Sequence, residues 1–218
     1  MTKRLIVNGD DFGISPGVNA GLIQAHRKGI LSSASMMVDT PHSPAAALLG
    51  AKHPALGLGV HVVIDPRAGP AGAEAEVERQ LERFVELAER LPTHIDSHRD
   101  VHRNERLLPA FLAVARRHRL PLRGYCDVLR ISSFYGQWNG ETHAEQISPA
   151  SLVRLLGEAV GEGVSELCCH PGYVDDHLVS SYAFERETEL ATLCDPGVAD
   201  ALDEEGIRLA TFREVGGR

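Results

Sequence analysis

The sequence predicts an α/β fold organised around a mainly parallel sheet. Short apolar runs alternate with helical periodicity from one end of the 218 residues to the other. Parallel neighbours can be joined only through such crossover segments, so the alternation itself selects the fold class. No linker, low-complexity tract or internal repeat interrupts it, and residues 1–218 read as one domain. About seven strands suit a barrel and an open sheet equally well, and periodicity does not separate the two.

The first strand is Leu5-Ile6-Val7. Ser15-Pro16 then supplies an N-cap and a proline at the first helical position, Val18, Leu22 and Ala25 follow at helical spacing, and Gly29 ends the helix. Ser35–Val38 reads as a second strand, Ser43–Lys52 as a short helix and Leu58–Val62 as a third strand. Residues 64–74 are rich in Pro, Gly and Ala and read as a loop. Val77, Leu81, Phe84, Ala88 and Leu91 then mark one apolar helix face. His94-Ile95-Asp96 is a short strand, Leu107–Ala115 a helix and Leu120–Tyr125 a further strand candidate. Residues 132–147 read as a long loop. Ser148-Pro149 repeats the cap-plus-proline signal before a helix over Leu152–Val160. Ser165–Cys169 is a strand, Arg186–Leu193 a helix and Ile207–Phe212 the last strand.

Composition excludes several classes of function. Apolar residues make up 43% and charged residues 24%, an ordinary balance for a globular protein, so the chain is not intrinsically disordered. The net charge of −8 disfavours nucleic acid or an anionic membrane as the main partner. No apolar run reaches the about 18 residues of a membrane-spanning helix. The start of the chain lacks the apolar core of a signal peptide, which predicts a cytoplasmic protein. Cys126, Cys168, Cys169 and Cys194 form no C-x-x-C pair and read as buried small hydrophobes. The apolar helix faces of this negatively charged chain are compatible with a homodimer.

Polar residues gather at strand ends. Asn8-Gly9-Asp10-Asp11-Phe12-Gly13 closes the first strand, His61 lies in the third, Asp96-Ser97-His98 closes the fourth, and His170-Pro171-Gly172 closes a later one. The carboxyl ends of parallel strands share one mouth, where ligands bind in α/β folds. Two adjacent carboxylates leaving an apolar strand repel each other, and a bound cation relieves the repulsion. The alternative for Asp10-Asp11 is a solvated turn. Neighbouring strand residues point to opposite faces, so both reach one site only if the strand bends, which Gly9 and Gly13 permit. His61 among valines is equally a satisfied core histidine. His94, His98 and His102 are dense enough for metal, or for a polar surface loop. His170 before Pro-Gly is either presented at a strand end or bonded to the turn. One Asp with two His leaves open positions and suits catalysis rather than structural ligation. A second Asp beside such a metal can accept a proton from water, and a His across the cleft can protonate a leaving group.

The ordered set Asn8-Gly9-Asp10-Asp11-Phe12-Gly13, Gly59-Val60-His61, Thr93-His94-Ile95-Asp96-Ser97-His98 with His102, Phe134-Tyr135-Gly136 and Cys169-His170-Pro171-Gly172 resembles the YdjC/ChbG-like carbohydrate deacetylases. These include a chitooligosaccharide deacetylase and hopanoid-biosynthesis relatives. The resemblance implies a TIM-barrel-like (β/α) fold, incomplete or distorted, and metal-dependent removal of an acetyl group from an N-acetylated sugar. It implies Asp11, His61 and His98 as metal ligands, Asp10 as general base and His170 as general acid. Zinc suits imidazole plus carboxylate, and magnesium, also associated with the family, is the alternative. Tyr135 and Trp138 are candidates to stack on a sugar ring, and Tyr173 and Asp176 to orient substrate. Two departures stand out: Asp100 where the family often has histidine, and a shorter stretch between His61 and Thr93 than in the chitooligosaccharide enzyme. Chitooligosaccharide is therefore not transferred as the substrate. The rival readings are a metal-dependent phosphoesterase and a non-catalytic sugar-binding protein.

Overall fold

The first strand, β1, runs over Lys3–Phe12 and is buried along most of its length. In the computed structural model, which describes residues 2–216, it is the axis of the molecule. It is followed by α1 (Pro16–Lys28), β2 (Ser33–Met36), α2 (Ser43–Lys52), β3 (Gly57–Val62), α3 (Pro70–Ala88), β4 (Ile95–Ser97) and α4 (Leu108–His118). Then come β5 (Leu129–Ile131), a hairpin of β6 (Gln137–Trp138) and β7 (Glu141–Thr142), α5 (Pro149–Ala159), β8 (Gly163–Cys169), α6 (Phe184–Leu193), α7 (Pro196–Glu204) and β9 (Ile207–Leu209).

The main sheet has the order β4-β3-β2-β1-β8-β5, with β9 also pairing β1. Every pairing in it is parallel. β8 pairs with β1 over Lys3–Gly9, while β9 takes Lys3–Leu5 and β2 takes the stretch from Asn8 on. The curled sheet is a distorted, incomplete TIM-like barrel, with β4 and β5 as its ends. Among the described residues one isolated bridge, Ile95 to Leu122, extends it past β4.

Alternation along β1 sorts the two sides. Leu5 and Val7 belong to the large apolar core shared with the helices, and a Cβ on Gly9 would strike Leu22 of α1. Ile6 instead packs with Ala210 and Phe212 in a small separate cluster. Asn8 and Asp10 follow Ile6 on that alternate face. The barrel interior is therefore polar: Asn8, Ser35, His61, His94, Asp96, Arg123 and Glu166 are all buried.

Most elements match the expectation from sequence, including α2, whose bounds are those predicted. Ser15 caps α1 by accepting the Val18 N–H at 3.2 Å, and His26, Arg27 and Lys28 complement the dipole in its last turn. Ser148 caps α5 in the same way. Other expectations need correction. β2 starts two residues earlier than predicted. Residues 70–74 belong to α3, because Pro70 is well placed at a helix start. Leu120–Tyr125 contributes a single bridge rather than a strand, since Pro121 has no N–H to donate to a ladder. β5, the hairpin and α7 were not predicted. α7 carries its own cap-plus-proline signal, Asp195-Pro196, with Asp195 accepting the Gly197 N–H.

Close backbone packing holds the loop after β8 against α1. A Cβ on Gly21 would lie 2.5 Å from Gly172 Cα, and backbone there moves only by displacing the segment that carries His170. Gly21→Ala is expected to destabilise the fold by about 1–3 kcal/mol, read as a lower midpoint in denaturant at unchanged slope. An unaltered midpoint would show that the loop yields freely.

Candidate metal centre

Asp10 and Asp11 both address one site because the strand breaks its alternation at Asp11. The register of β1 against β2 shifts between Gly9 and Phe12, and Asp11 has φ 68°, a left-handed conformation that Asp tolerates better than most residues. The bend predicted from Gly9 and Gly13 is thus centred on Asp11 itself.

Asp11 Oδ1 lies 3.4 Å from His61 Nε2 and 3.2 Å from His98 Nδ1. One donor atom from each of these three residues lies within 4.8 Å of the others. Two imidazoles and a carboxylate oxygen, gathered on the wall of an open cleft of about 680 Å³, fit a divalent cation with free positions. The other Asp11 oxygen, Oδ2, accepts from Arg186 Nη2 at 2.6 Å, so Oδ1 is the one that faces the two imidazoles. Burial pushes the Asp11 carboxyl up, but the hydrogen bonds from His61 and His98 and the Arg186 charge hold it well below its usual value.

These three donors are themselves held in place. His61 and Asp96 are register partners on β3 and β4, and Asp96 Oδ1 lies 2.7 Å from His61 Nδ1. This pairing turns Nε2 towards Asp11. Burial pushes the His61 ring down, yet the charges of Asp96 and Asp10 dominate and raise it to about 10. A cation bound there at neutral pH must displace a proton. Asp96 is fixed in turn by Ser35 Oγ at 2.5 Å and Arg123 Nη2 at 2.8 Å. Asp96→Asn is expected to weaken metal affinity about 10–100-fold, measured by competition with a chelating dye. Unchanged affinity would remove Asp96 from this role.

The cluster of three histidines separates in space. His98 reaches the cleft. His94 is buried, stacked on Phe212 with centroids 3.9 Å apart and bonded to Ser35 Oγ and Thr93 Oγ1. His102 is buried against Ser97, whose Oγ lies 2.7 Å from its Nδ1 and accepts its backbone N–H. It anchors the turn in which Arg99 and Asp100 adopt φ 55° and 53°. Asp100 lines the cleft and pairs with Arg130 at 2.7 Å.

Asp10 also lines the cleft, beyond Asp11. Arg123 grips both its oxygens, Nη1 to Oδ2 at 2.8 Å and Nη2 to Oδ1 at 2.7 Å, and Asn8 Nδ2 donates to Oδ1 at 2.9 Å. Burial pushes this carboxyl up, but Arg123 and His61 outweigh it and hold it below the usual range. His170, Asp10 and Cys168 bring one donor atom each within 4.8 Å of one another. Burial pushes the His170 ring down against the pull of Asp10 and Asp11, so its protonated form is a stronger acid than free histidine. The His170 backbone N–H donates to Glu189 on α6, which also accepts the Tyr182 hydroxyl.

Tyr135 lines the cleft, stacked on Tyr182 with centroids 4.6 Å apart and edge-on to His170. The other two aromatic candidates lie outside the cleft lining. Trp138 stacks on His143 at 3.5 Å in the hairpin, and Tyr173 donates its hydroxyl to Gln24 Oε1 at 2.7 Å. Asp176 is also outside the lining.

Arg123, Arg186, Glu166 and Glu189 were not singled out from sequence. Each is a charged residue that reads as surface, and each is buried in the fold. No local motif marks them, because the partners that stabilise them are brought to them by the fold.

Comparison with known proteins bears on the family and the fold. The family model for YdjC-like proteins matches residues 4–73 and 65–204. A carbohydrate deacetylase of Geobacillus stearothermophilus is 37% identical, covering 98% of both chains. A chitooligosaccharide deacetylase of Yersinia pestis is 36% identical, covering 97% of this chain and 99% of the relative. Among solved structures, a candidate cellobiose-phosphate cleavage protein of Enterococcus faecalis V583 superposes with a TM-score of 0.84 at 30% identity, covering 97% of this chain and 98% of that one. A family 4 carbohydrate esterase of Streptomyces lividans, solved with acetate, gives 0.66 at 14% identity over 99% and 97%. At that identity the likeness concerns the fold alone.

Proposed function

The chain belongs to the YdjC-like protein family, and from that premise we propose that it is a metal-dependent hydrolase that removes the acetyl group from an N-acetylated sugar. The observation that carries the reading is the convergence of Asp11, His61 and His98 on one wall of the cleft, with Asp10 and His170 beside them.

Asp11, His61 and His98 would hold one divalent cation, zinc by the chemistry of its donors and magnesium as the alternative. Such a cation polarises an acyl carbonyl and lowers the pKa of water. Asp10 takes the proton of the water that attacks the acyl carbon. Arg123 keeps Asp10 ionised and aimed into the cleft. His170 gives a proton to the amine as the C–N bond breaks, which leaves acetate and a free amino sugar. Tyr135 offers a ring face to the sugar.

The test is acetate release from a panel of N-acetylated sugars by metal-loaded and chelated protein. Acetate that appears only with metal supports the reading. Phosphate release from esters in place of acetate would favour the phosphoesterase, and sugar binding without turnover, indifferent to chelator, the binding protein. Among the described residues no helix is long and apolar enough to cross a membrane.

A further inference from the structure

Glu166 is an ionisable residue in the barrel interior that this reaction leaves unused. It lies in β8, two residues before Cys168, buried and outside the cleft lining. Arg123 Nε is 2.7 Å from Glu166 Oε1. The remaining nitrogens of the same guanidinium hold both oxygens of Asp10, and Nη2 also lies 2.8 Å from Asp96 Oδ2. One buried cation therefore serves three buried carboxylates. Its attraction for Asp10 is shared with Glu166.

We propose that Glu166 is a positioning residue that sets the basicity of Asp10 through Arg123. Ionised Glu166 offsets part of the guanidinium charge and leaves Asp10 the stronger base. Protonated Glu166 returns that charge to Asp10 and weakens it. The proposal rests on the reading of Asp10 as general base.

Three observations support it. Arg123 Nε and Glu166 Oε1 are close, yet neither makes an aligned hydrogen bond, so the contact acts through charge. The groups facing Glu166 are Arg123, Asp10 of β1, Asp96 of β4, Cys168 of β8 and Arg130 of β5, its register partner. Against the two arginines, burial and the two aspartates raise the Glu166 carboxyl to about 7. Glu166 thus changes charge across neutral pH, protonated below and ionised above, and the turnover it supports is lost as pH falls.

The test compares metal-loaded wild type with Glu166→Gln, in which glutamine stands for the protonated acid. Wild-type kcat should fall on the acid side of an inflection near pH 7. The variant should show no such inflection and stay at the lower rate, about 3- to 10-fold below wild type on the alkaline side, with KM little changed. A profile lowered uniformly with its inflection kept, or one that superimposes on wild type, overturns the proposal. A second readout needs no turnover. In holoprotein carrying ¹³C-carboxyl aspartate, the Asp10 resonance should shift near pH 7 in wild type and not in the variant. If the variant does not fold, an Asp10 resonance that is flat through neutral pH in wild type overturns the idea alone. If no sugar yields acetate, this resonance still decides the coupling, so the two readings fail separately.

Discussion

Asp10→Asn is expected to lower acetate release by about 10²–10⁴-fold, the usual worth of a general base, while the protein keeps its metal. Asparagine retains the shape and an acceptor for Arg123 but cannot take the proton of the attacking water. The partner left behind matters. Arg123 is fully buried and would keep, among the described residues, Asp96 and Glu166 as counter-charges. Breaking one arm of a buried ion pair commonly costs about 3–5 kcal/mol. The measurement therefore pairs single-turnover rates with metal content and a denaturant midpoint. A folded, metal-loaded Asp10→Asn protein with wild-type turnover would remove Asp10 from the reaction. Loss of metal together with turnover would make its role structural.

Asp11→Asn is expected to abolish metal binding and, with it, acetate release. The loss should exceed the about 10–100-fold in affinity that an outer partner such as Asp96 is worth. Asparagine is the informative substitution because position 11 has φ 68°, where Asn is tolerated and Ala is strained. It removes the charge without removing the side chain. The same change leaves the Arg186 guanidinium, bonded to Asp11 at 2.6 Å, beside a neutral amide. Metal content by elemental analysis checks the result. Retained metal at full occupancy would mean that another carboxylate, with Asp10 the nearest candidate, completes the site.

Much of this was legible in the sequence because it is local. Ser15-Pro16 and Ser148-Pro149 announce helices through atoms a few bonds apart, and alternation in β1 and β3 follows from the pleat. The family motifs lie at strand ends, so the strand assignment and the parallel topology together bring Asp10, Asp11, His61, His98 and His170 to one mouth. Asp195-Pro196 was equally legible by the same rule.

The rest depends on distance along the chain. Among His94, His98 and His102 only the second reaches the cleft, and no spacing rule distinguishes them. Their fates follow from Phe212 stacking on His94 and Ser97 holding His102. Arg123 and Arg186 look like surface charges until carboxylates 113 and 175 residues away are placed beside them. Trp138, a sugar platform by residue type, stacks on His143 in the hairpin, outside the cleft lining. By itself the sequence determined the α/β class, the strand ends at which the polar residues gather and the residue types able to hold a cation. Tertiary structure alone decided which of those side chains meet, because a buried charge is stable only against a partner, and that partner is chosen by the fold rather than by its neighbours in sequence.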